Sequence, residues 1–385
     1  MTRVYGAVLL LALWLLAPIA DARSAGALPG FLGSPDGIAP GVDLYRVDAR
    51  DLTDPASPQS IRLLRLDPRR VRLGSALATG EVPARATVQA IALRTHALAA
   101  VNAGFFSPAG DPTGVLRIDG RLLSDTGRAR GAVALTDGRD GMQARFDRVR
   151  AHVRLRFRAG GAWRTVPIDG VDTTRGQGRL VLYSPASGAT TDTTGGLEWV
   201  LTGTPLRASR PSSTGNSTIP ARGYVLSYGG TTVPSLLGGL RAAPSIQVRE
   251  TLDVPSGRAV RDWIRAPTIV GGAGLLVREG QRVVEWDVEQ LSRGFDTTRH
   301  PRTVIARDRD GAIWLLTIDG RQPERALGMT FVEMQALLAR LDVVDALNLD
   351  GGGSTTMVVG EAVVNRPSDI TGPRAVSDAL VVHAR

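Results

Sequence analysis

Near the C-terminus the stretch Asn348-Leu-Asp350-Gly-Gly-Gly353-Ser-Thr-Thr356 brings together residue types that do chemistry in combination. An apolar run, residues 346–349, gives way to one acid and three glycines. Gly351, Gly352 and Gly353 let the backbone turn sharply and approach a ligand closely. Their successive N–H groups can cradle an anion, and Ser354, Thr355 and Thr356 add hydroxyl donors. Asp350, at the end of a strand, is placed to reach a bound substrate. A plain turn would not need three consecutive glycines, because each costs conformational entropy on folding. A nucleotide-binding loop needs lysine followed by Ser or Thr and then a helix. This chain has no lysine, and a strand pattern follows the loop, so that function is excluded.

Two further segments carry similar groups. Asp319-Gly320-Arg321 ends an apolar run at residues 314–318 and leads into Gln-Pro-Glu-Arg325 and a helix, with no return strand. An acid beside an arginine suits a sugar-phosphate site, because the guanidinium fork pairs bidentately with phosphate; a hairpin turn is an equal reading of the same residues. Asn102-Ala-Gly-Phe-Phe106 again follows a short apolar strand. Its amide suits a sugar hydroxyl, and Phe105 and Phe106 suit either a sugar face or the core. Glu333 reads as a helix cap with Thr330. His300, before Pro301 and Arg302, is a site candidate, whereas His96, His152 and His383 read as structural. Asp369 and Ser377 fit either the site or the ordering of its loops. No His, Asp and Glu cluster has metal-ligand spacing, and thiolate sites are excluded by the absence of cysteine, so no metal or other cofactor is expected.

The elements that must position these groups are mostly strands. Residues 60–66 and 71–77 alternate apolar with polar, and residues 87–96 have helical spacing. A short strand over 98–101 leads into Asn102. Asp119-Gly120 and Asp137-Gly138 read as hairpin turns, and residues 184–220, dense in Ser, Thr, Gly and Pro, read as long loops on a strand scaffold. Later come strands over 269–270 and 275–277, a hairpin at Glu279-Gly280, and another around Asp310-Gly311. A helix over 330–341, a strand over 346–349, a hairpin over 356–364 and a last strand over 379–383 complete the pattern. The sum is a mixed α/β (α+β), strand-rich single catalytic domain with few helices.

At the N-terminus, Arg3, an apolar run over residues 8–16 and small residues at Ala20 and Ala22 read as a signal peptide, residues 1–22, cut after Ala22. The run is shorter than the roughly 20 residues that cross a bilayer, so no membrane span is expected after cleavage, and the mature protein is expected to be secreted or periplasmic. Residues 23–41 read as a linker or irregular lead-in, and 42–385 as the domain. The net charge of +9 suits an anionic partner such as a phosphate-bearing glycan. Nucleic acid is not expected, because aromatics are 5% of the chain and no basic stripe is interleaved with them.

Taken in series, the motifs resemble the phosphodiester glycosidase family, the uncovering-enzyme-like domain. The matching segments are NAGFF at 102–106, GVLRIDGRLLS at 114–124, IVGGAGLLVREG at 269–280, HPRT at 300–303, TIDGR at 317–321, GMTFVEM at 328–334, NLDGGGSTTMVV at 348–359, NRPSD at 365–369 and PRAVSDALVV at 373–382. The likeness spans roughly 95–383 and is strongest over 95–124 and 268–383. Residues 125–265 cannot be aligned, and the cysteines and extra C-terminal modules of mammalian members are absent. The resemblance implies hydrolysis at the anomeric carbon of a sugar 1-phosphodiester, releasing sugar and a phosphomonoester. It gives Asp350 and Asp319 the carboxylate roles, as nucleophile or base and as partner. Arg302, Arg321 and Arg374 become phosphate ligands, and Asn102 and Asn365 sugar-binding amides. Phe105, Gly351, Gly352, Gly353, Ser354 and Thr355 complete the substrate-binding set. Two other functions fit the same residues: a non-catalytic exopolysaccharide-binding or assembly protein of the envelope, and a hydrolase of a phosphate-containing surface polymer.

Overall fold

Alternation along residues 71–77 does what a period of two must do, giving that strand one buried face, whereas residues 59–66 are buried on both faces. The computed structural model describes residues 28–385, so the expected signal peptide and its cut after Ala22 lie outside the described residues. Among the described residues three α-helices accompany strands arranged in four sheets. An eight-stranded sheet runs in the order Asp36–Ala39, Val42–Ala49, Gln59–Leu66, Ile313–Ile318, Arg302–Asp308, Val343–Asn348, Leu275–Arg278 and Gln281–Arg282. A five-stranded sheet runs Ala362–Val363, Met357–Val359, Ala99–Asn102, Asp378–Ala384 and Val71–Leu77. Leu64, Ile305, Leu315 and Leu347 of the first pack with Val101, Leu380 and Val382 of the second in one buried cluster. The result is the strand-rich α+β single domain expected from the pattern.

A helix covers the outer face of each of these sheets. Val88–Thr95 sets Val88, Ile91 and Ala92 against Ala100, Ala379 and Val381. Phe331–Arg340 sets Phe331, Met334, Leu337 and Leu338 against Ile61, Trp314 and Ala346. Each large apolar side chain buried this way contributes roughly 1.5–3 kcal/mol. Thr330 and Glu333 form the expected capping box, and Arg299 Nε donates to Glu333 Oε1 at 2.9 Å, so Glu333 has a structural role. Among the described residues no helix is long and apolar enough to cross a membrane.

The structure corrects several readings. The lead-in is not wholly irregular: Asp36–Ala39 pairs antiparallel with Val42–Ala49 about Pro40-Gly41, where Gly41 has φ 84°. Asp137 and Gly138 are not a turn. They stay in register opposite Met142 and Gly141, which moves the turn to Arg139-Asp140. The strand before the glycine loop begins at Val343, because Val343 and Val344 continue its buried run. Residues 184–220 hold part of a second five-stranded sheet, with Leu197–Thr202 between Gly223–Tyr228 and Arg207–Ala208. A basic stripe also exists. The 19-residue strand Gly141–Ala159 places Arg150, Arg154, Arg156 and Arg158 on its outer face while Val153, Leu155 and Phe157 face the core.

Candidate active site

The segments singled out by residue type meet where the two main sheets end together. Ala99–Asn102 belongs to one sheet, while Arg302–Asp308 and Val343–Asn348 belong to the other. Asn102, with no exposed surface, ties them. Its Nδ2 donates to the Asp350 carbonyl at 2.6 Å, and its Oδ1 accepts from Thr303 Oγ1 at 2.7 Å and from the Thr356 N–H at 3.1 Å. The Asp350 N–H returns a bond to the Ala103 carbonyl at 3.0 Å. With its donor and acceptor groups committed to the scaffold, Asn102 is a positioning residue and not the sugar-binding amide expected of it.

The glycine loop is shaped by what lies over it. Gly352 has φ 60° and takes a short 3-10 turn through Ser354. The Arg321 guanidinium lies 3.0 Å from where a side chain on Gly352 would begin. A side chain on Gly353 would run into the Asp369 carboxylate and the Arg374 guanidinium, which are themselves paired at 2.8 Å. Two arginines therefore flank the loop, one neutralised and one not. Among the described residues Arg321 is in no ion pair; its only side-chain contact of that kind is a 3.5 Å approach to His300 Nδ1. Burial, with Arg302 and Arg321 nearby, holds the His300 pKa below its ordinary value. Phe105 is half-buried against Phe295, their rings 6.1 Å apart.

Asp350 is the electrostatically unusual group. The residue keeps some surface, but its carboxylate is enclosed, and burial pushes its pKa up to about 6. The nearby Asp378 carboxylate pushes the same way, while Ser354, the Gly351 N–H and Arg374 oppose. The Gly351 N–H donates to Oδ1 at 2.9 Å. The Ser354 hydroxyl is close enough to act on that pKa without being in hydrogen-bond geometry, and with Thr356 Oγ1 and Asn348 Oδ1 it is a buried polar atom lacking a partner among the described residues. Unpaired buried polar atoms each cost about 1–3 kcal/mol, a concentration that fits a ligand site better than a turn.

Other expected ligands are placed differently. Arg302 is 1% exposed, and its Nε and Nη2 donate to the carbonyls of Met329, Phe295 and Thr298 at 2.7–2.9 Å, with Phe295 and Phe331 rings about its guanidinium. Burial pulls its pKa down to about 10. It is a core arginine, not a phosphate ligand. Asp319, also 1% exposed, accepts from Asn365 Nδ2 at 2.9 Å and with both oxygens from the Arg366 N–H, and burial raises its pKa. Asn365 Nδ2 also donates to the Thr355 carbonyl at 3.1 Å, while its Oδ1 accepts from the Met357 N–H. Asp319 and Asn365 thus brace the back of the loop and are not reacting or sugar-binding groups. Thr355 is 1% exposed, so its role is in the loop's shape.

Two carboxylates escaped the reading of the sequence. Asp378 has no exposed surface and accepts from the Gly104 N–H at 3.2 Å and the Ser377 hydroxyl at 2.8 Å. Its signal was an acid opening an apolar strand inside a quoted motif, masked by its neighbour Ser377. Glu289, equally buried, accepts from the N–H groups of Gly131, Gly274 and Leu275 and so fixes the Gly271–Gly274 turn. That turn holds Asn348 through Ala273 at 2.9 Å. Glu289 lies in a stretch without periodicity and gave no signal.

The expected N–H cradle is not open, because Gly351, Gly352, Ser354, Thr355 and Thr356 donate their N–H groups to acceptors of the fold. Fold and site together define a strand-rich α+β domain with an enclosed acid, a glycine-rich loop and an uncompensated arginine at the ends of two sheets. Residues 198–383 match the phosphodiester glycosidase family, reaching back through 198–265, where the motifs gave no alignment. That match takes in just under half of the chain, which over this part is similar to the phosphodiester glycosidase family. It is 30% identical over 187 residues to the mouse N-acetylglucosamine-1-phosphodiester alpha-N-acetylglucosaminidase, a match covering 43% of this chain and 35% of that protein. The chain therefore spans about a third of that relative's length. A hypothetical protein from Synechocystis superposes with a TM-score of 0.73 at 24% identity, covering 90% of this chain and 63% of the other. The zebrafish catalytic domain of the same named enzyme, auto-inhibited by its pro-peptide, gives 0.51 at 18% identity, covering 91% and 86%. These two likenesses are of fold.

Proposed function

We propose that this protein is an exported hydrolase that cleaves the glycosidic bond of sugar 1-phosphodiesters, releasing the sugar and a phosphomonoester. The observation that carries the reading is the enclosed Asp350 carboxylate, its pKa raised to about 6, beside a glycine loop over which Arg321 has no acid partner. In the reaction the bond from the anomeric carbon to the phosphate oxygen breaks, and that oxygen keeps the bonding pair. An oxocarbenium-like centre develops on the sugar, and a carboxylate beside it is what such a transition state needs; Asp350 supplies it. The leaving phosphate is already a stable anion. Its charge is met by Arg321, and proton donation to it is unnecessary. Water provides the oxygen that completes the released sugar. This reading assigns Phe105 to a sugar face.

Export rests on residues 1–22, and N-terminal sequencing of the protein recovered outside the cytoplasm should begin at Arg23. For the activity, a panel of glycosyl phosphodiesters is assayed for free reducing sugar and phosphomonoester together. Both products in equal amounts support the proposal. Phosphomonoester without free sugar, or neither product across the panel, overturns it.

A further inference from the structure

The excess positive charge of the chain has a place in the fold. The strand Gly141–Ala159 is flanked along its second half by Ala162–Pro167 on one side and Ile246–Asp253 on the other. Residues directly opposite one another in an antiparallel pair share a face. Arg158 is opposite Trp163, Arg156 opposite Thr165 and Gln247, and Arg154 opposite Pro167 and Arg249. The other face carries Val153, Leu155, Phe157 and Ile246 into the core, so this one meets solvent. Among the described residues Arg154, Arg156, Arg158 and Arg249 are in no ion pair; the one acid on the face, Asp253, is taken by Arg150 at 2.7 Å. Arg249 donates to the neutral Gln247 Oε1 at 2.8 Å. Same-face residues along the strand recur about every 6.7 Å, so the guanidinium groups form a regular row. Trp163 is 44% exposed, with Arg156 stacked 4.1 Å from its ring centroid.

We infer that this three-stranded face is a docking surface for the anionic backbone of a phosphate-bearing glycan, and that it retains the protein on a polymeric form of its substrate. The inference rests on the proposed activity for the identity of the polymer. A row of uncompensated arginines is complementary to a chain whose charge recurs, and each fork pairs bidentately with a phosphodiester. Thr165, Gln247 and Thr251, set among the arginines, suit sugar hydroxyls. Sequence-tolerant binding of single-stranded nucleic acid uses successive aromatic platforms, whereas this face has one ring, already stacked by an arginine. Insertion into a lipid interface needs a broad apolar face, and Trp163 and Pro167 do not make one.

The test uses the purified full chain and a linear poly(hexosyl phosphate) at two salt concentrations. A single-stranded DNA oligonucleotide and phosphatidylglycerol vesicles serve as competing probes. The triple variant Arg154→Gln, Arg156→Gln, Arg158→Gln should bind the polymer at least about tenfold more weakly, with a shallower salt dependence. Its turnover of a small sugar 1-phosphodiester and its Tm should be unchanged. The double variant Arg154→Gln, Arg249→Gln leaves the stack on Trp163 in place and should show a smaller loss of the same kind. Unaltered polymer affinity in both variants overturns the proposal, as does tighter wild-type binding to the oligonucleotide or the vesicles. Arginine-dependent polymer binding by a protein that turns over no small phosphodiester supports the docking surface while refuting the proposed activity.

Discussion

Replacing Asp350 by Asn should abolish turnover and stabilise the fold at neutral pH, and the size of that second effect follows from burial. The carboxyl has an ordinary pKa of 3.8, and the folded protein raises it to about 6. Between those values the folded state holds a proton that the unfolded chain has released, so stability falls as pH rises through that window. At about 1.36 kcal/mol per pH unit, an ionised Asp350 costs the fold about 3 kcal/mol above pH 6 and nothing below pH 4. Asparagine keeps the shape, can still accept from the Gly351 N–H, and carries no charge. The unfolding entropy of a 385-residue chain is about 0.8 kcal/mol/K, so the variant should melt about 4 °C above wild type at pH 7.5 and level with it at pH 4. Asp319 also has a raised pKa, but it titrates in both proteins and cancels in the difference, whereas the Asp378 charge is part of what raises the Asp350 pKa. Wild-type hydrolysis should rise with pH through about 6 as Asp350 ionises. A variant that melts below wild type at pH 7.5, or by the same offset at both pH values, would refute this account of the residue.

The two arginines separate binding from folding. Arg321→Met should lower kcat/KM at least about tenfold with little change in Tm, because its guanidinium meets a charged ligand and no acid of the fold; an unchanged kcat/KM removes it from the site. Arg302→Met should instead leave the carbonyls of Met329, Phe295 and Thr298 without their donors and cost about 3 kcal/mol in urea unfolding, at about 1 kcal/mol for each bond. Asn102→Ala should cost about as much, and should also lower kcat by releasing the Asp350 carbonyl. A variant that kept full kcat while losing stability would show that the loop holds its shape without that tie.

The strands were legible because burial on one face writes itself into a period of two and burial on both faces into a short apolar run, and the two main helices because their apolar stripes and caps agree. The glycine loop was legible as well: three glycines at a strand end are costly unless something lies close by, and Arg321, Asp369 and Arg374 do. What could not be read was commitment. Asn102, Arg302 and Asn365 are residue types that bind sugar phosphates, and nothing in the residue types shows that backbone groups 4 to 254 positions away have already claimed their polar atoms. The basic stripe was overlooked for a different reason. Its arginines alternate with Val153, Leu155 and Phe157, so only the folded strand separates the two sets onto opposite faces.

Three enclosed carboxylates sit around the loop, and burial alone does not assign their roles, since it raises the pKa of all three. Donors do. Asp378 is held by the Gly104 N–H and the Ser377 and Ser75 hydroxyls, and Asp319 by Asn365 and the Arg366 N–H. Such bonds orient a carboxylate and brace the backbone that supplies them, which suits a support and not a group that must meet a substrate. Asp350 has one bond, from its neighbour's N–H, at the mouth of a loop whose Ser354 and Thr356 hydroxyls lack partners among the described residues. An acid enclosed enough to have a shifted pKa, yet held by so few donors, is a source of instability that folding would not retain for its own sake. The same carboxylate pair also fixes the direction of a coupling. Neutralising Asp378 removes a charge that raises the Asp350 pKa, so any substitution there that keeps the strand in place should shift the rising limb of the pH–rate profile toward acid, and a shift toward alkali would mean that Asp378 acts on Asp350 through the backbone instead of through its charge.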